Sequence, residues 1–340
     1  MASPHTNADP VEKPPMRPQA LLIAVLGPLI VATLISCVYL SAFHEPKPNG
    51  MKVDIVGSTS QAQGLATKLN AQPGGRIDAD VVTTRSEAVT NIRSLDARAA
   101  YEPSTGKLLV ASAGSTLATQ TVTQTFQQVA DQSHTKLVVE DLHPLPKQDN
   151  SGSTYLFLGL GGILAGFMTA NVLGSAAPEL STGKTLALLA GMSITGGVVA
   201  AFITFGVYGA YTEHLIPAIL FASGGGLATA LFQYGGSRLL GPAAVVFTMG
   251  ILIIPGIAAS GASMPIDMLP SYLKTASPML PTSAAIDGLH RLLYFDGVGI
   301  SRPISTIVMW LLFGGWLVAV SQSRAAKKNS NAADEKGAVE

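Results

Sequence analysis

Six stretches of the chain hold no Asp, Glu, Lys or Arg: residues 18–43, 154–178, 185–212, 215–237, 239–266 and 303–323. Each has room for about 20 apolar residues, the helix length that crosses a hydrocarbon core of roughly 30 Å. Backbone N–H and C=O groups in lipid must be satisfied internally, so the pattern predicts six transmembrane helices. The stretch 215–237 fits least well, because Ser223-Gly224-Gly225-Gly226 breaks it.

Between the first and second stretches the pattern alternates and turns polar. Residues 44–153 carry 10 basic and 11 acidic residues, about half of all the charge in the chain. Strands are expected at 51–56, 78–83, 97–101, 107–111 and 136–139, the third and fourth around a Pro103-Ser104-Thr105-Gly106 turn. Helices are expected at 58–69, with Ser58 as N-cap, at 86–95 and at 115–132. This order predicts a small α/β layer fold, long enough to fold alone. The fold class is therefore a polytopic α-helical membrane protein with six transmembrane helices and an extracytoplasmic α/β domain between helices 1 and 2.

Composition agrees. Of 340 residues, 48% are hydrophobic and 12% charged, against about 25% charged in soluble domains. Basic and acidic residues balance at 21 each, so no net charge draws the chain to nucleic acid. Orientation follows from short flanks. Lys13 and Arg17, Lys184, Arg238, and Arg324 with Lys327 and Lys328 fall on one side if the spans alternate, while the turn Tyr211–His214 has no Lys or Arg. Both termini, 1–17 and 324–340, are then cytoplasmic, and residues 44–153 and 261–302 lie outside. The Pro-rich start and the tail after Lys327 read as disordered. The setting is a bacterial cytoplasmic (inner) membrane.

The single Cys37 excludes an internal disulfide framework and a Cys-based zinc site. Leu34-Ile35-Ser36-Cys37 resembles a lipobox, in which Cys37 is lipidated. The apolar run continues through Val38-Tyr39-Leu40, which favours an uncleaved anchor with Cys37 as a small helix residue.

Catalytic chemistry is missing. His134 and His143 lack a third ligand nearby and read as surface histidines, and all six His lie outside the charge-free stretches. No GxxxxGK[ST] occurs, so the chain does not itself hydrolyse nucleotide. The spans carry no ionisable residue to relay protons. No cofactor or metal is implied, and the chain is not an enzyme. Asn171 and Gln233 are the main strong polar groups in the spans, as helix contacts or as a polar path. Gly162-xxx-Gly166 favours close helix packing within the chain over a dimer seam.

The segment 261–302 is apolar but broken by Pro265, Pro270, Pro278 and Pro281, so it lies at the membrane surface or dips in. Pro281 to Tyr294 reads as one short amphipathic helix with Ile286, Leu289 and Leu293 on one face. With its Ser260-Gly261 turn, Pro265, the Leu269-Pro270 pair, Pro278 and the Gly288/Arg291 helix, this segment resembles the outer loop before the last span in ABC-2-type exporter permeases. The layout of one span, a large outer domain and five spans is similar to the YhgE/Pip-like branch, whose outer domain ends in a Pro-Leu stretch. Here that is Asp141 to Pro146, followed by Asp149 and Gly152.

The resemblance implies a permease half that works as a homo- or heterodimer in membrane lipid, driven by a separate ATPase. It exports a hydrophobic or amphiphilic molecule from the cytoplasm or inner leaflet. It places the ATPase-contact turn at Pro178, Glu179 and Lys184, and the outer gate loop at Pro265, Leu269, Pro270, Pro278 and Arg291. The chain departs from the family in having four prolines and no apolar face in residues 1–17. The short turn between spans two and three supports an alternative, a non-transporting scaffold whose outer domain binds envelope or secretion-system partners.

Overall fold

In the computed structural model, which describes residues 18–177 and 180–337, the chain begins as one helix, α1 (Pro18–Phe43). It continues past Cys37, which is exposed on it. Its apolar side chains are largely exposed, Leu22, Val25 and Leu29 among them, as suits a helix bathed in lipid.

The polar segment folds as β1 (Met51–Val56), α2 (Ser60–Asn70), β2 (Ile77–Val82), α3 (Arg85–Arg93), β3 (Ala99–Glu102), β4 (Lys107–Val110), α4 (Thr116–Gln132) and β5 (Val138–Asp141). The five strands form one sheet in the order β2-β1-β3-β4-β5, parallel except for the β3–β4 hairpin. The expected α/β pattern is present, with boundaries shifted by up to two residues. Thr59, not Ser58, caps α2 by accepting from the Ala62 N–H, and the last strand starts two residues later than expected. The hairpin turn needs its glycine: Gly106 has φ +68°, and a Cβ there would lie 2.7 Å from the Lys136 carbonyl oxygen. Val53, Ile55, Leu108 and Phe126 form the core, with Tyr101 stacked on Phe126.

The remaining elements are α5 (Thr154–Ala176), α6 (Thr182–Ala201) with a π-helical extension Phe202–Val207, and α7 (Leu215–Leu240). Next come α8 (Ala243–Phe247), a π-helical turn Thr248–Ile253, α9 (Ile254–Ala258), α10 (Ser271–Ala276), α11 (Pro281–Tyr294) and α12 (Ser301–Gly337). Five helices are long and apolar enough to cross a membrane: within α1, α5, α6 with its extension, α7 and α12. The sixth expected span, 239–266, is present only as a shorter apolar helix. Its helix covers only Ala243–Ala258, about 24 Å at 1.5 Å per residue, short of the roughly 30 Å core. Gly241 at φ +61° opens it, and the Ser260-Gly261 turn, with Gly261 at φ +84°, follows it. The expected break in 215–237 does not occur, since α7 is continuous. The tail is corrected too: its Ala, Lys and Glu favour helix, and α12 runs to Gly337.

Glycines set the spacing. A Cβ at Gly162 would lie 2.1 Å from the Ala222 carbonyl oxygen, and one at Gly226 would lie 2.2 Å from that of Gly162. Backbones so close pack within one chain, as the Gly162-xxx-Gly166 spacing led us to expect. These contacts also give directions. Gly162 meets Ala222 and Gly174 meets Ser237, so α5 and α7 run parallel. Gly224 meets Ile307 and Gly235 meets Leu317, so α12 runs with them. Gly161 meets Ala200 and Ala165 meets Gly196, so α6 is antiparallel. Gly27 meets Val246 and Gly250 meets Leu34, so α1 and the α8–α9 unit share a direction. The sheet, the α6–α7 link and residues 259–300 therefore gather at one end of the bundle.

The expected helix 281–294 is observed, packed into the bundle. Ala285 abuts Gly225 and Phe221 abuts Gly288, so α11 is wedged against α7 with most of its residues buried.

Replacing Gly162 with Ala forces a Cβ into the Ala222 backbone and is expected to cost about 1–3 kcal/mol of overpacking. Gly191, on α6, meets nothing within 4 Å, so Gly191→Ala serves as control. Thermal unfolding in mild detergent should show a lowered midpoint for the first variant and no loss for the second.

Candidate functional site

Two places concentrate polar groups where a membrane protein has few. The first joins the sheet to the bundle. Asp149, in the link before α5, is buried. Its Oδ2 accepts hydrogen bonds from Tyr294 OH, from Tyr211 OH at 3.0 Å and from the Thr154 N–H at 3.2 Å. The Tyr211 hydroxyl also lies 2.7 Å from that of Tyr294, so its single proton is shared between Asp149 and Tyr294. Three segments, the Asp149 link, the α6–α7 link and the end of α11, are thus held by one carboxylate. Burial pushes the Asp149 carboxyl up, but the hydrogen bonds from Tyr294, Thr154 and Tyr211 outweigh it and hold it below the usual range. Burial raises both tyrosine hydroxyls above their ordinary value, so they remain donors.

Beside this cluster His290 stacks on Tyr155 at 4.6 Å, and its Nε2 lies 2.8 Å from the Ala113 carbonyl oxygen of the sheet domain. Burial drives its imidazole down to about 4, against the Ala113 carbonyl and Asp287, which favour the charged form. Further along, Arg98 pairs with Asp267, Asn49 Nδ2 donates to the Leu269 carbonyl at 2.9 Å, and Lys274 Nζ donates to the Asn49 carbonyl at 2.8 Å. His143 is corrected from a surface histidine: its Nε2 is buried without a partner and its ring lies 5.4 Å from that of Phe295.

The second place is at the other end. Gly27 and Val31 of α1, Phe167 and Asn171 of α5, and Val245 and Met249 of the fifth helical unit line an apolar cleft of about 370 Å³. That is within the size range of small-molecule sites. Close approaches put Gly174 against Ser237 and Gly236 against Ala244. Asn171, Gln233 and Thr248 each lie three or four residues from these contacts, so they share one level of the bundle. Gln233 is fully buried, and both its amide atoms lack a partner, as does the Thr248 hydroxyl. Native interiors rarely leave such groups unpaired.

The residues singled out from sequence separate. Pro178 and Glu179 lie outside the described residues, as do 1–17. Lys184 is exposed near the start of α6, at the end opposite the sheet. Leu269 and Pro265 are buried, Leu269 in the hydrophobic cluster that covers the sheet, with Pro270 half-buried beside it. Pro278 and Arg291 line a separate cavity. Asn171 and Gln233 lie at one level of the bundle, but Asn171 lines the cleft and Gln233 does not. Tyr211, Tyr294 and His290 were not singled out, because each joins a polar cluster only through contacts distant in sequence, and Thr248 reads as one hydroxyl in an apolar run.

Five apolar spans around a glycine-packed bundle define a polytopic membrane protein. A family model described as ABC-2 family transporter protein matches residues 19–321, and the chain belongs to that family. It is thus a transport membrane component, not itself catalytic, of a family that generally works in the lipid membrane with a separate ATPase. No curated protein and no solved structure matches the chain significantly.

The junction predicts a pH dependence. His290 titrates lower in the folded chain than at its ordinary value of 6.5, so protons bind the unfolded chain more tightly. Its contribution is complete above pH 6.5 and is lost as pH falls through about 4. Asp149 adds a loss in the same direction, below the ordinary carboxylate range. The thermal midpoint should fall between pH 7 and 4.5, and His290→Gln should flatten that slope.

Proposed function

We propose that the chain is the permease subunit of an ABC-2-type exporter, moving a hydrophobic or amphiphilic molecule out of the inner leaflet under the drive of a separate ATPase. The observation that carries this is the apolar cleft between α1, α5 and α8, with Asn171 in its wall and unpaired Gln233 and Thr248 at the same level. An apolar molecule with an uncharged polar group suits such a lining. No charged side chain lines the cleft.

The sheet end faces outside in this reading, and both termini face the cytoplasm of a bacterial inner membrane. Lys184, Arg238 and Arg324 then lie on the cytoplasmic side, in keeping with the preference of basic residues for that face. The α8–α9 unit makes the sixth crossing, its shortness made up by the chain that follows it. The turn of Pro178, Glu179 and Lys184 contacts the ATPase, and two such permease halves pair as a homo- or heterodimer.

One observation favours a second reading. The link between α5 and α6 spans only residues 177–181, a small platform for a motor domain. A scaffold that binds envelope partners through its sheet domain needs no larger one.

Asn171→Leu and Gln233→Leu separate these readings. Gln233→Leu removes unpaired polar atoms, so the fold should hold or gain stability. Lipid-stimulated ATP hydrolysis by the copurified complex should drop roughly tenfold, the loss of about one hydrogen bond in the path. Unchanged hydrolysis in both variants would remove the cleft from the route.

A further inference from the structure

The sheet end holds a cavity of about 270 Å³ that the export reading does not use. Its floor is α11 and its walls are α10 and the start of α12. Three cationic side chains line it: Lys274, Arg291 and Arg302. The carboxylate of Asp287 also lines it and takes up one of the three charges, accepting from Arg291 Nε at 3.0 Å. Arg291 is spent further on the Ser94 and Val298 carbonyls. Lys274 gives one of its three donors to the Asn49 carbonyl. Arg302 is exposed, and its guanidinium makes no hydrogen bond or ion pair among the described residues. Lys274 and Arg302 thus leave an excess of two positive charges over one hollow. The hydroxyls of Ser277, Ser283 and Thr306 already donate to the Ala259 and Pro278 carbonyls, so the unspent donors are cationic. The first turn of α12 adds the positive end of a long helix dipole.

The surroundings are apolar. Met279, Met309 and Phe313 are exposed large hydrophobics, and Met309 and Phe313 lie on the same face of α12 as Arg302, about two and three turns further along. Trp310 donates from its indole nitrogen to the Met279 carbonyl at 2.7 Å, which anchors the rim. A cationic hollow above an apolar helix face matches a phosphate joined to hydrocarbon chains, not a free ion.

We infer that this cavity binds the phosphodiester headgroup of an anionic phospholipid of the outer leaflet, with Arg302 and Lys274 on the phosphate and the chains along α12. The inference rests on the outward orientation of the sheet end, but not on transport or on an ATPase.

The test uses the purified full-length chain in neutral detergent. Native mass spectrometry and thermal shift are read with phosphatidylglycerol, with diacylglycerol of the same chains, and with inorganic phosphate. Phosphatidylglycerol should bind and raise the thermal midpoint, and diacylglycerol should not. Arg302→Gln should weaken phosphatidylglycerol binding roughly tenfold, the loss of one charge-assisted hydrogen bond, and Lys274→Gln should do likewise. Arg302 is exposed and unpaired, so its variant is expected to fold as the parent does. Equal affinity for diacylglycerol, or no change in Arg302→Gln, would overturn the inference. Protection by inorganic phosphate equal to that by lipid would assign the hollow to a free anion and overturn the lipid. Because no ATPase enters the assay, failure here leaves the export reading standing, and failure of export leaves this binding intact.

Discussion

The structure depends on how closely α5 and α7 approach. Gly162 and Gly226 each sit where a single methyl would strike the partner backbone. In lipid, apolar side chains gain little by leaving one hydrocarbon for another, so helices associate through fine packing and hydrogen bonds. Small residues are what permit such packing here. α6 joins through Gly196 against Ala165 and through Gly197 against Ser223. α11 joins through Ala285 against Gly225, and α12 through Gly314 against Leu231. Remove the spacing between α5 and α7 and every later contact shifts with it.

On this frame the two ends of the bundle do different work. At the sheet end, Asp149 gathers two tyrosines from segments far apart in sequence, and Arg98 with Asp267 repeats the arrangement on the other side. These polar groups find partners, so they fasten the sheet to the helices. At the opposite end, Gln233 and Thr248 do not find partners, and nearer the sheet neither do His143 Nε2 and the Ser223 and Thr282 hydroxyls. A group buried without a partner costs about 1–3 kcal/mol. The proposed path through Asn171 accounts for that cost at Gln233 and Thr248. Between the ends, α1 touches mainly the α8–α9 unit, which leaves one side of the cleft open to lipid.

Much of this was legible in the sequence, because it is written in local patterns. The absence of charge marked the membrane helices, and alternation marked the α/β layer to within about two residues, although the one cap read, Ser58, gives way to Thr59. The length of the sixth helix was over-read, since an apolar stretch says nothing of where Gly241 and the Ser260-Gly261 turn cut it. Leu269 and Pro265 were read as a gate and are buried, Leu269 in the cluster that covers the sheet, because proline spacing carries no information about what covers a segment. Tyr211, Tyr294 and His290 were invisible for a related reason. A tyrosine at a helix end is ordinary until the fold brings Asp149 to it. Gln233 was visible as a polar residue in an apolar run, and the structure added that it lacks a partner.

The central claim is that this chain is the membrane half of a motor-driven exporter. The most direct measurement is purification of the tagged full-length chain in mild detergent, with mass spectrometry of the proteins that accompany it. The account predicts a stoichiometric ATPase carrying a phosphate-binding loop, released when Lys184 is replaced by Ala. Envelope proteins held by the sheet domain, with no ATPase under any mild condition, would contradict it.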